Sequence, residues 1–100
     1  MADSYHIRMT PRALRDRDEI FAYIQRDSPQ NAAKMIETIL DAIDGLNILP
    51  YRYILPRTGA QSDEQIRSMP VWPYLVRYRI EETKETVYIV RIRHGARRRS

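Results

Sequence analysis

Hydrophobic and polar residues alternate near the N-terminus of the chain, in the stretch YHIRM. Tyr5, Ile7 and Met9 fall on one side of an extended backbone, and His6 and Arg8 fall on the other. Alternation with a period of two is typical of a strand with one buried face. The pattern therefore predicts a first strand over residues 5–9.

Two stretches with helical periodicity follow, and each begins with a hydroxyl residue and a proline. Thr10–Pro11 and Ser28–Pro29 each supply an N-cap side chain and a proline at the first helical position. The first helix is predicted to run to about Arg26, with apolar positions at Ala13, Leu14, Ile20, Phe21 and Ile24. The second ends before Pro50, with apolar positions at Ala32, Ala33, Ile36, Ile39, Leu40, Ile43 and Leu46. Because about three residues join them, we expect an antiparallel helical hairpin.

Three further strands are predicted in the C-terminal half, after a loop over residues 50–65 that holds two prolines and a glycine. IRSM gives a short strand, and YLVRYRI and VYIVRIR give two longer strands joined by the polar sequence EETKE. In YLVRYRI, one face carries Tyr74, Val76, Tyr78 and Ile80. In VYIVRIR, one face carries Tyr88, Val90 and Ile92, and the other carries Val87, Ile89, Arg91 and Arg93.

The order β-α-α-β-β-β predicts an α+β fold in a single domain, residues 1–100. In the simplest packing, the first strand and the helical hairpin pack with one mostly antiparallel sheet, and the helices cover the apolar face of that sheet. The opposite face of that sheet then collects Arg8, Arg77, Arg79, Arg91 and Arg93.

Charge is distributed unevenly along the chain. Residues 1–50 carry six basic and eight acidic side chains, a net charge of −2, whereas residues 51–100 carry eleven basic and five acidic side chains, a net charge of +6. The last ten residues include five arginines. A basic half of this kind implies an acidic or polyanionic partner. The acidic residues of the first helix, Asp16, Asp18 and Glu19, are predicted to form its solvated face.

Several kinds of site are not expected in this sequence. The chain contains no cysteine, which excludes disulfides and thiolate metal sites. Its two histidines, His6 and His94, are far apart and make a poor metal site. There is no glycine-rich phosphate loop, so no metal or cofactor is expected. Neither a signal peptide nor an apolar run of about 20 residues is present, so no membrane contact is expected.

Taken together, the chain resembles the RelE/ParE toxin superfamily, the toxin halves of bacterial toxin–antitoxin modules. The resemblance covers nearly the whole chain. It rests on the element order and on EIFAYI, AAKMIETILDAIDGLNILP, IRSM, YLVRYRI and VYIVRIRHGARR in sequence, with HGAR after the last strand as its most telling piece. It implies a cytoplasmic toxin that forms a hetero-oligomer with a ParD-like antitoxin, a ribbon-helix-helix protein.

The superfamily contains two activities, because RelE-like members cut messenger RNA on the ribosome and ParE-like members act on DNA gyrase without being nucleases. A RelE-like site resembles a cluster of lysines and arginines, often with a C-terminal tyrosine. On this sequence the two lysine positions fall near Asp63 and Gln65, and a strand arginine falls at Leu75. A second arginine matches at Arg97, and the tyrosine would lie beyond Ser100. Most of the nuclease constellation is therefore missing.

The resemblance favours a ParE-like toxin, not an enzyme, that binds and blocks gyrase. The target-binding residues are predicted to be Arg91, Arg93, His94, Arg97, Arg98 and Arg99. The antitoxin-binding residues are predicted to be Arg67, Trp72, Arg77 and Arg79. The rival is a RelE-like endoribonuclease with Arg67, His94 and Arg97 as catalytic groups. A third alternative is a family member that has lost toxicity and only binds its antitoxin.

Each of these residues also has a purely structural interpretation. His94 can be a surface histidine at a strand end, and the arginines can solvate an uncovered sheet face and discourage aggregation. Trp72 lies between two prolines in MPVWPY, where it either closes one end of the core or anchors a partner protein. The sequence leaves these alternatives open.

Overall fold

The computed structural model describes residues 4–53 and 65–95 of the chain. Its elements follow the predicted order: β1 (His6–Met9), α1 (Pro11–Gln25), α2 (Pro29–Asp44), β2 (Arg67–Val71), β3 (Tyr74–Glu81) and β4 (Thr86–His94). Short 3₁₀ turns lie at Gly45–Asn47, Pro50–Arg52 and Glu82–Lys84. The α+β prediction is confirmed. The part of the predicted 50–65 loop beyond Tyr53 lies largely outside the described residues.

Both helices begin at their predicted caps. The Thr10 hydroxyl accepts a hydrogen bond from the Ala13 N–H at 3.2 Å, and the Ser28 hydroxyl accepts one from the Asn31 N–H at 3.2 Å. Each side chain thereby satisfies one of the backbone donors that a helix start leaves unpaired. The proline after each cap has no N–H to leave unpaired.

The sheet is mixed, with strand order β1-β4-β3-β2. β1 runs parallel to β4, and the β4–β3 and β3–β2 pairs are antiparallel. One face of the sheet packs against the helical hairpin, and the core consists of Tyr5, Ala13, Ile20, Ile39, Ile43, Leu46, Met69, Tyr74, Val76, Tyr78, Val87, Ile89 and Ile92. We call the face away from the helices the outer face.

A bulge in β4 corrects the predicted assignment of its faces. Arg77 pairs with Arg91, but the next residue, Tyr78, pairs with Ile89, so Val90 has no partner in the register. The extra residue reverses the alternation at that point. Val87 and Ile89, which the sequence placed opposite the apolar face, are therefore fully buried in the core together with Ile92. Tyr88 and Val90 do not join that core.

The register brings most of the predicted arginines together on the outer face. Arg77 lies beside Arg91, and Arg93 lies beside Leu75 on the same side of β3 and β4. Arg79 pairs with Tyr88, and its guanidinium lies 4.3 Å from the centre of the Tyr88 ring. Tyr88 also pairs with Arg8 of β1. The outer face is therefore basic, as the strand alternation predicts.

Arg67 departs from this arrangement. It pairs with Tyr78, whose side chain is buried in the core, so Arg67 lies on the helix side of the sheet. There its Nη1 donates to the carbonyl oxygen of Tyr53 at 2.7 Å, and its guanidinium lies 5.0 Å from the Tyr51 ring. Arg67 therefore lies on the opposite side of the sheet from Arg77 and Arg79, with which it is predicted to bind the antitoxin, and its side chain fixes the segment after α2.

Candidate functional site

The free edge of β4 determines where α1 lies. Pairing with β1 ends at Met9 and Ile89, and Thr10 then donates its backbone N–H to the Ile89 carbonyl at 3.0 Å. Beyond that point no strand of the described part of the chain lies beside β4 on this edge. Asp16 of α1 takes over, because its Oδ2 accepts the N–H of Ile92 at 2.9 Å.

Asp16 is the centre of a small ionic cluster. Its Oδ2 also accepts from Arg91 Nε at 2.8 Å, and its Oδ1 lies 3.4 Å from Arg12 Nε. The side chain is almost completely buried, in contrast to Asp18, which is exposed and pairs with Arg17. The prediction of a solvated acidic face is therefore wrong for Asp16. The carboxylate closes an open backbone position and holds Arg91 at the same time.

A groove of about 760 Å³ opens between the second half of α1 and the end of β4. Its floor includes Ile20 and Ile92. Apart from Ala22, the rest of its lining is charged or aromatic: Asp16, Glu19, Tyr23, Arg26, Tyr74, Arg91, Arg93 and His94. We call this the α1–β4 groove. It places cations beside aromatic rings, an arrangement that suits an anionic group attached to an apolar one.

Three of the predicted target-binding residues line this groove, and each is held differently. Arg91 is paired to Asp16, which leaves it partly engaged within the protein. His94 meets the ring of Tyr74 edge-on, with centroids 5.3 Å apart and planes at 82°. Arg93 directly precedes His94 in β4, and its side chain lies on the opposite face of the strand. The remaining three, Arg97, Arg98 and Arg99, lie outside the described residues.

Trp72 lies at the turn between β2 and β3 and is 71% exposed. It does not close the core. A Cβ atom added at Gly95 would lie only 2.8 Å from Trp72 Cζ3, so the glycine permits the indole to approach the end of β4. The Gly95 N–H donates to the Pro73 carbonyl at 2.8 Å and joins the two segments. The exposed indole is therefore presented beside the end of the strand that carries His94.

The structure does not bring the predicted nuclease groups together. Arg67 pairs with Tyr78 on one side of β3, and His94 pairs with Tyr74 on the other. Tyr74 and Tyr78 are four residues apart on one strand, a separation of about 13 Å. Arg67 is also held by the Tyr53 carbonyl. The third residue of that set, Arg97, lies outside the described part of the chain.

Sequence reasoning missed the contribution of α1 to the groove. Glu19, Tyr23 and Arg26 lie on exposed positions of α1 or just after it, where spacing along the helix does not reveal what they face. A signal for Asp16 was present, because residues 13, 16, 20 and 24 follow the helical period of the buried stripe. A carboxylate in such a stripe indicates a buried partner.

Among the described residues, no group of three or more histidine, cysteine, aspartate or glutamate side chains is placed to hold a metal ion. No helix in the described ranges is long and apolar enough to cross a membrane.

Comparison with known proteins decides the family. The chain matches the family model of the ParE toxin of type II toxin–antitoxin systems, parDE, over residues 7–99. The chain belongs to this family. It is accordingly a toxin of the RelE/ParE superfamily. A curated relative, Y4kP of Sinorhizobium fredii, is classed as a candidate toxin and is 36% identical over 84 residues, or 84% of each chain.

Solved structures resemble this ParE-family toxin over almost its whole length. The chromosomal ParDE toxin–antitoxin system of P. aeruginosa contains a chain with a TM-score of 0.72 and 19% identity, covering 93% of this chain and 98% of that one. The toxin–antitoxin complex RelBE2 of Mycobacterium tuberculosis contains one with a TM-score of 0.64 and 26% identity, covering 94% of each. The fold of the ParE-family toxin is therefore shared by ParE and RelE proteins.

Proposed function

We propose that this ParE-family toxin acts by binding DNA gyrase and blocking it, and that it has no enzymatic activity of its own. The observation that carries the proposal is the match to the ParE family model over residues 7–99. The separation of Arg67 from His94 supports it, since RNA cleavage needs a proton acceptor, a phosphate-binding cation and a proton donor around one phosphate. Arg91, Arg93, His94 and the terminal arginines then serve as a docking surface.

Gyrase inhibition is distinguished from RNA cleavage by comparing the two reactions directly. We expect the purified toxin to inhibit supercoiling by gyrase, and we expect messenger RNA on programmed ribosomes to stay intact. Because docking energy is shared among several surface side chains, His94→Ala and Arg93→Ala should each reduce inhibition less than about tenfold. Loss of a catalytic acid or base would instead reduce activity about 100-fold to 10,000-fold.

The control for this experiment is a check of folding by circular dichroism for each variant. Cleavage of ribosome-bound messenger RNA together with normal supercoiling would overturn the proposal of gyrase inhibition and support the RelE-like alternative. A steep loss of that cleavage in folded His94→Ala protein would then identify His94 as the acid–base group. The ring of Tyr74 lies edge-on to this histidine.

We also propose that a cognate, ParD-like antitoxin neutralises the toxin in the cytoplasm. Toxin–antitoxin assemblies among the solved relatives support such a partner. The outer face offers it Arg77 and Arg79, and the β2–β3 turn offers the exposed Trp72. Arg77 Nε is buried without a hydrogen-bond partner among the described residues, which is unfavourable by about 1–3 kcal/mol. Arg77 is only partly buried, so a carboxylate of an acidic antitoxin segment would pair with the accessible part of its side chain.

Charge reversal at Arg79 tests the antitoxin surface. We expect Arg79→Glu to weaken antitoxin binding and to remove part of its dependence on salt, because an acidic segment would then meet a carboxylate. Arg17→Glu, on the helix α1, is the matched control and should leave the affinity unchanged. Since Trp72 is the single tryptophan, its fluorescence reports binding in both variants. Equal affinities for Arg79→Glu and the unmodified toxin would remove the outer face from the antitoxin site.

A further inference from the structure

The segment after α2 presents large apolar side chains to solvent. Leu46 and Pro50 are buried, whereas the residues between them project outward, with Ile48 53% exposed and Leu49 69% exposed. Tyr51 follows and is 45% exposed. We call Ile48, Leu49 and Tyr51 the apolar tip. Exposed apolar residues that lie singly need no explanation, but adjacent ones between two buried anchors form a defined surface.

The backbone of the apolar tip is fixed in an unfavourable conformation. Leu49 has φ 55° and ψ 53°, the left-handed region that a leucine rarely adopts. The Arg52 N–H donates to the Leu49 carbonyl at 3.2 Å, and Arg52 Nη2 donates to the Gly45 carbonyl at 3.1 Å. The buried Tyr78 hydroxyl donates to the Pro50 carbonyl at 2.5 Å. The leucine therefore faces solvent on a backbone that the surrounding structure holds in place.

Side chains at the hairpin end of the sheet also hold the tip. The Tyr51 hydroxyl donates to Glu82 Oε1 at 2.6 Å, and the Tyr5 hydroxyl donates to the same carboxylate at 2.9 and 3.0 Å. The Tyr51 hydrogen bond, followed by that of Tyr5, holds the pKa of Glu82 below its ordinary value. Arg67 stacks on the other side of the loop, 5.0 Å from the Tyr51 ring. The tip is thus preorganised before any partner arrives.

The apolar tip and the end of β4 that carries His94 lie at opposite ends of the sheet. Tyr51 is tied to Glu82, which follows the Glu81–Thr86 pair, whereas His94 pairs with Tyr74 at the other end of β3. The seven-residue distance from Tyr74 to Glu81 corresponds to about 24 Å. A protein bound at the α1–β4 groove therefore leaves the tip accessible.

The size and shape of the tip determine which partner it fits. Its exposed side chains amount to on the order of 300 Å² of surface, less than half of the roughly 800 Å² that each subunit of a stable dimer buries. A second copy of this chain is therefore a poor occupant. A flexible peptide binds along a sheet edge or in a groove, and the tip offers neither because it projects. It fits a concave apolar pocket on a folded protein.

The charges around the tip also disfavour an acidic antitoxin segment. Glu82 carries a negative charge and accepts from two tyrosines, and Arg67 is held by the Tyr53 carbonyl. Arg52 and the exposed Asp44 have opposite signs. The mixed charge gives no attraction for an acidic segment comparable to that of the outer face.

We propose that the apolar tip inserts into an apolar pocket of the folded protein that this toxin acts on, with Leu49 as the anchor. The inference rests on the proposed function, in which that target is gyrase. Binding then uses two separated surfaces, the basic end of the sheet for charge and the tip for apolar contact. Leucine at the tip sacrifices stability for binding, because the site would be more stable with a residue that tolerates positive φ.

Leu49→Asn distinguishes a role of Leu49 in binding from a role in packing within the chain, because the two roles predict opposite changes in the melting temperature. Asparagine adopts the left-handed conformation more readily, so the melting temperature of the variant should rise by roughly 2–6 °C. Its affinity for purified gyrase, measured by surface plasmon resonance, should fall at least about tenfold. Leu49→Met keeps an apolar side chain on the same backbone and should retain binding within about threefold.

Glu85→Asn is the matched control, since Glu85 also has a positive φ, of 49°, but carries no apolar side chain. It should raise the melting temperature and leave gyrase binding unchanged. A lower melting temperature for Leu49→Asn would show that the leucine packs within the chain. If that variant bound gyrase as tightly as the unmodified toxin does, Leu49 would not be the anchor. An equal loss of antitoxin affinity, or loss of a toxin dimer in sedimentation, would assign the tip to those partners.

Growth arrest on expression in cells separates failure of this inference from failure of the proposed function. If the unmodified toxin arrests growth but does not bind gyrase, the proposed target is wrong. The tip inference then still requires that Leu49→Asn relieve the arrest, and full arrest by that variant would overturn it. A wild-type chain that neither binds gyrase nor arrests growth would overturn both.

Discussion

Replacing Asp16 by alanine is expected to lower the free energy of unfolding by about 3–5 kcal/mol. The substitution leaves the Ile92 N–H without its acceptor on the free edge of β4 and removes the partner of Arg91, both at 2.8–2.9 Å from Oδ2. Since a domain of this size has a stability of about 5–15 kcal/mol, the loss is a large part of the total. Urea unfolding followed by circular dichroism measures it.

Two further variants show which part of the Asp16 contact matters. Asp16→Asn keeps an oxygen acceptor for the Ile92 N–H but loses the charge that Arg91 and Arg12 face, so its loss should be smaller than that of alanine. Asp18→Ala, two residues along the same helix, removes only the exposed pair with Arg17 and should change stability by less than about 0.5 kcal/mol. Equal effects of the aspartate-to-alanine changes at the two positions would contradict the role given to Asp16.

The second large effect is a loss of stability in alkaline solution, to which Tyr78 contributes together with Tyr51 and Tyr5, whose pKa values are also raised. Burial raises the pKa of the Tyr78 hydroxyl from 10.0 to about 12, and the hydroxyl donates to the Pro50 carbonyl. The unfolded state therefore releases this proton at a lower pH than the folded state does. The contribution of Tyr78 is fully present below pH 10 and is lost as pH rises from 10 through 12, a change of about 2–3 kcal/mol.

Unfolding free energies measured between pH 8 and pH 12 test this prediction. Tyr78→Phe should make the decline between pH 10 and 12 less steep, and Tyr51, whose hydrogen bond to Glu82 raises its pKa to about 12, should account for part of the decline that remains. Tyr78→Phe should also lower stability at neutral pH by about 1 kcal/mol, because the Pro50 carbonyl loses its donor. Ile43→Val is the control, since it weakens the core by about 0.5–1.5 kcal/mol without removing an ionisable group. A decline in Tyr78→Phe as steep as in the unmodified protein would rule out Tyr78 as one of its causes.

Short-range patterns predicted the elements of the fold. The helix starts at Thr10–Pro11 and Ser28–Pro29 follow from local chemistry, since cap, proline and first-turn donors are within three residues of one another. The alternation in β1 and β3 predicted which face of each strand is the more buried, because successive side chains of a strand point to opposite faces. The resemblance to the RelE/ParE superfamily was confirmed by the family match.

Pairing between strands explains where the prediction failed. Strict alternation cannot reveal the bulge at Val90, since the unpaired residue exists only relative to Arg77 and Tyr78 of β3. For the same reason the sequence did not show that Arg67 lies on the helix side of the sheet, beside Tyr78. One extra or shifted residue moves every later side chain to the other face.

The sequence by itself determined the order of the elements, the starts of the helices, the basic character of the second half and the membership of the superfamily. These properties depend on residue identity and on spacings of two to four positions, which any short stretch displays. Only the tertiary structure decided that Asp16 is buried, that Arg67 and His94 lie apart and that Leu49 projects. The reason is that Asp16 and Arg91 are 75 positions apart in the chain, and contacts over such distances are set by how α1 packs on the free edge of β4.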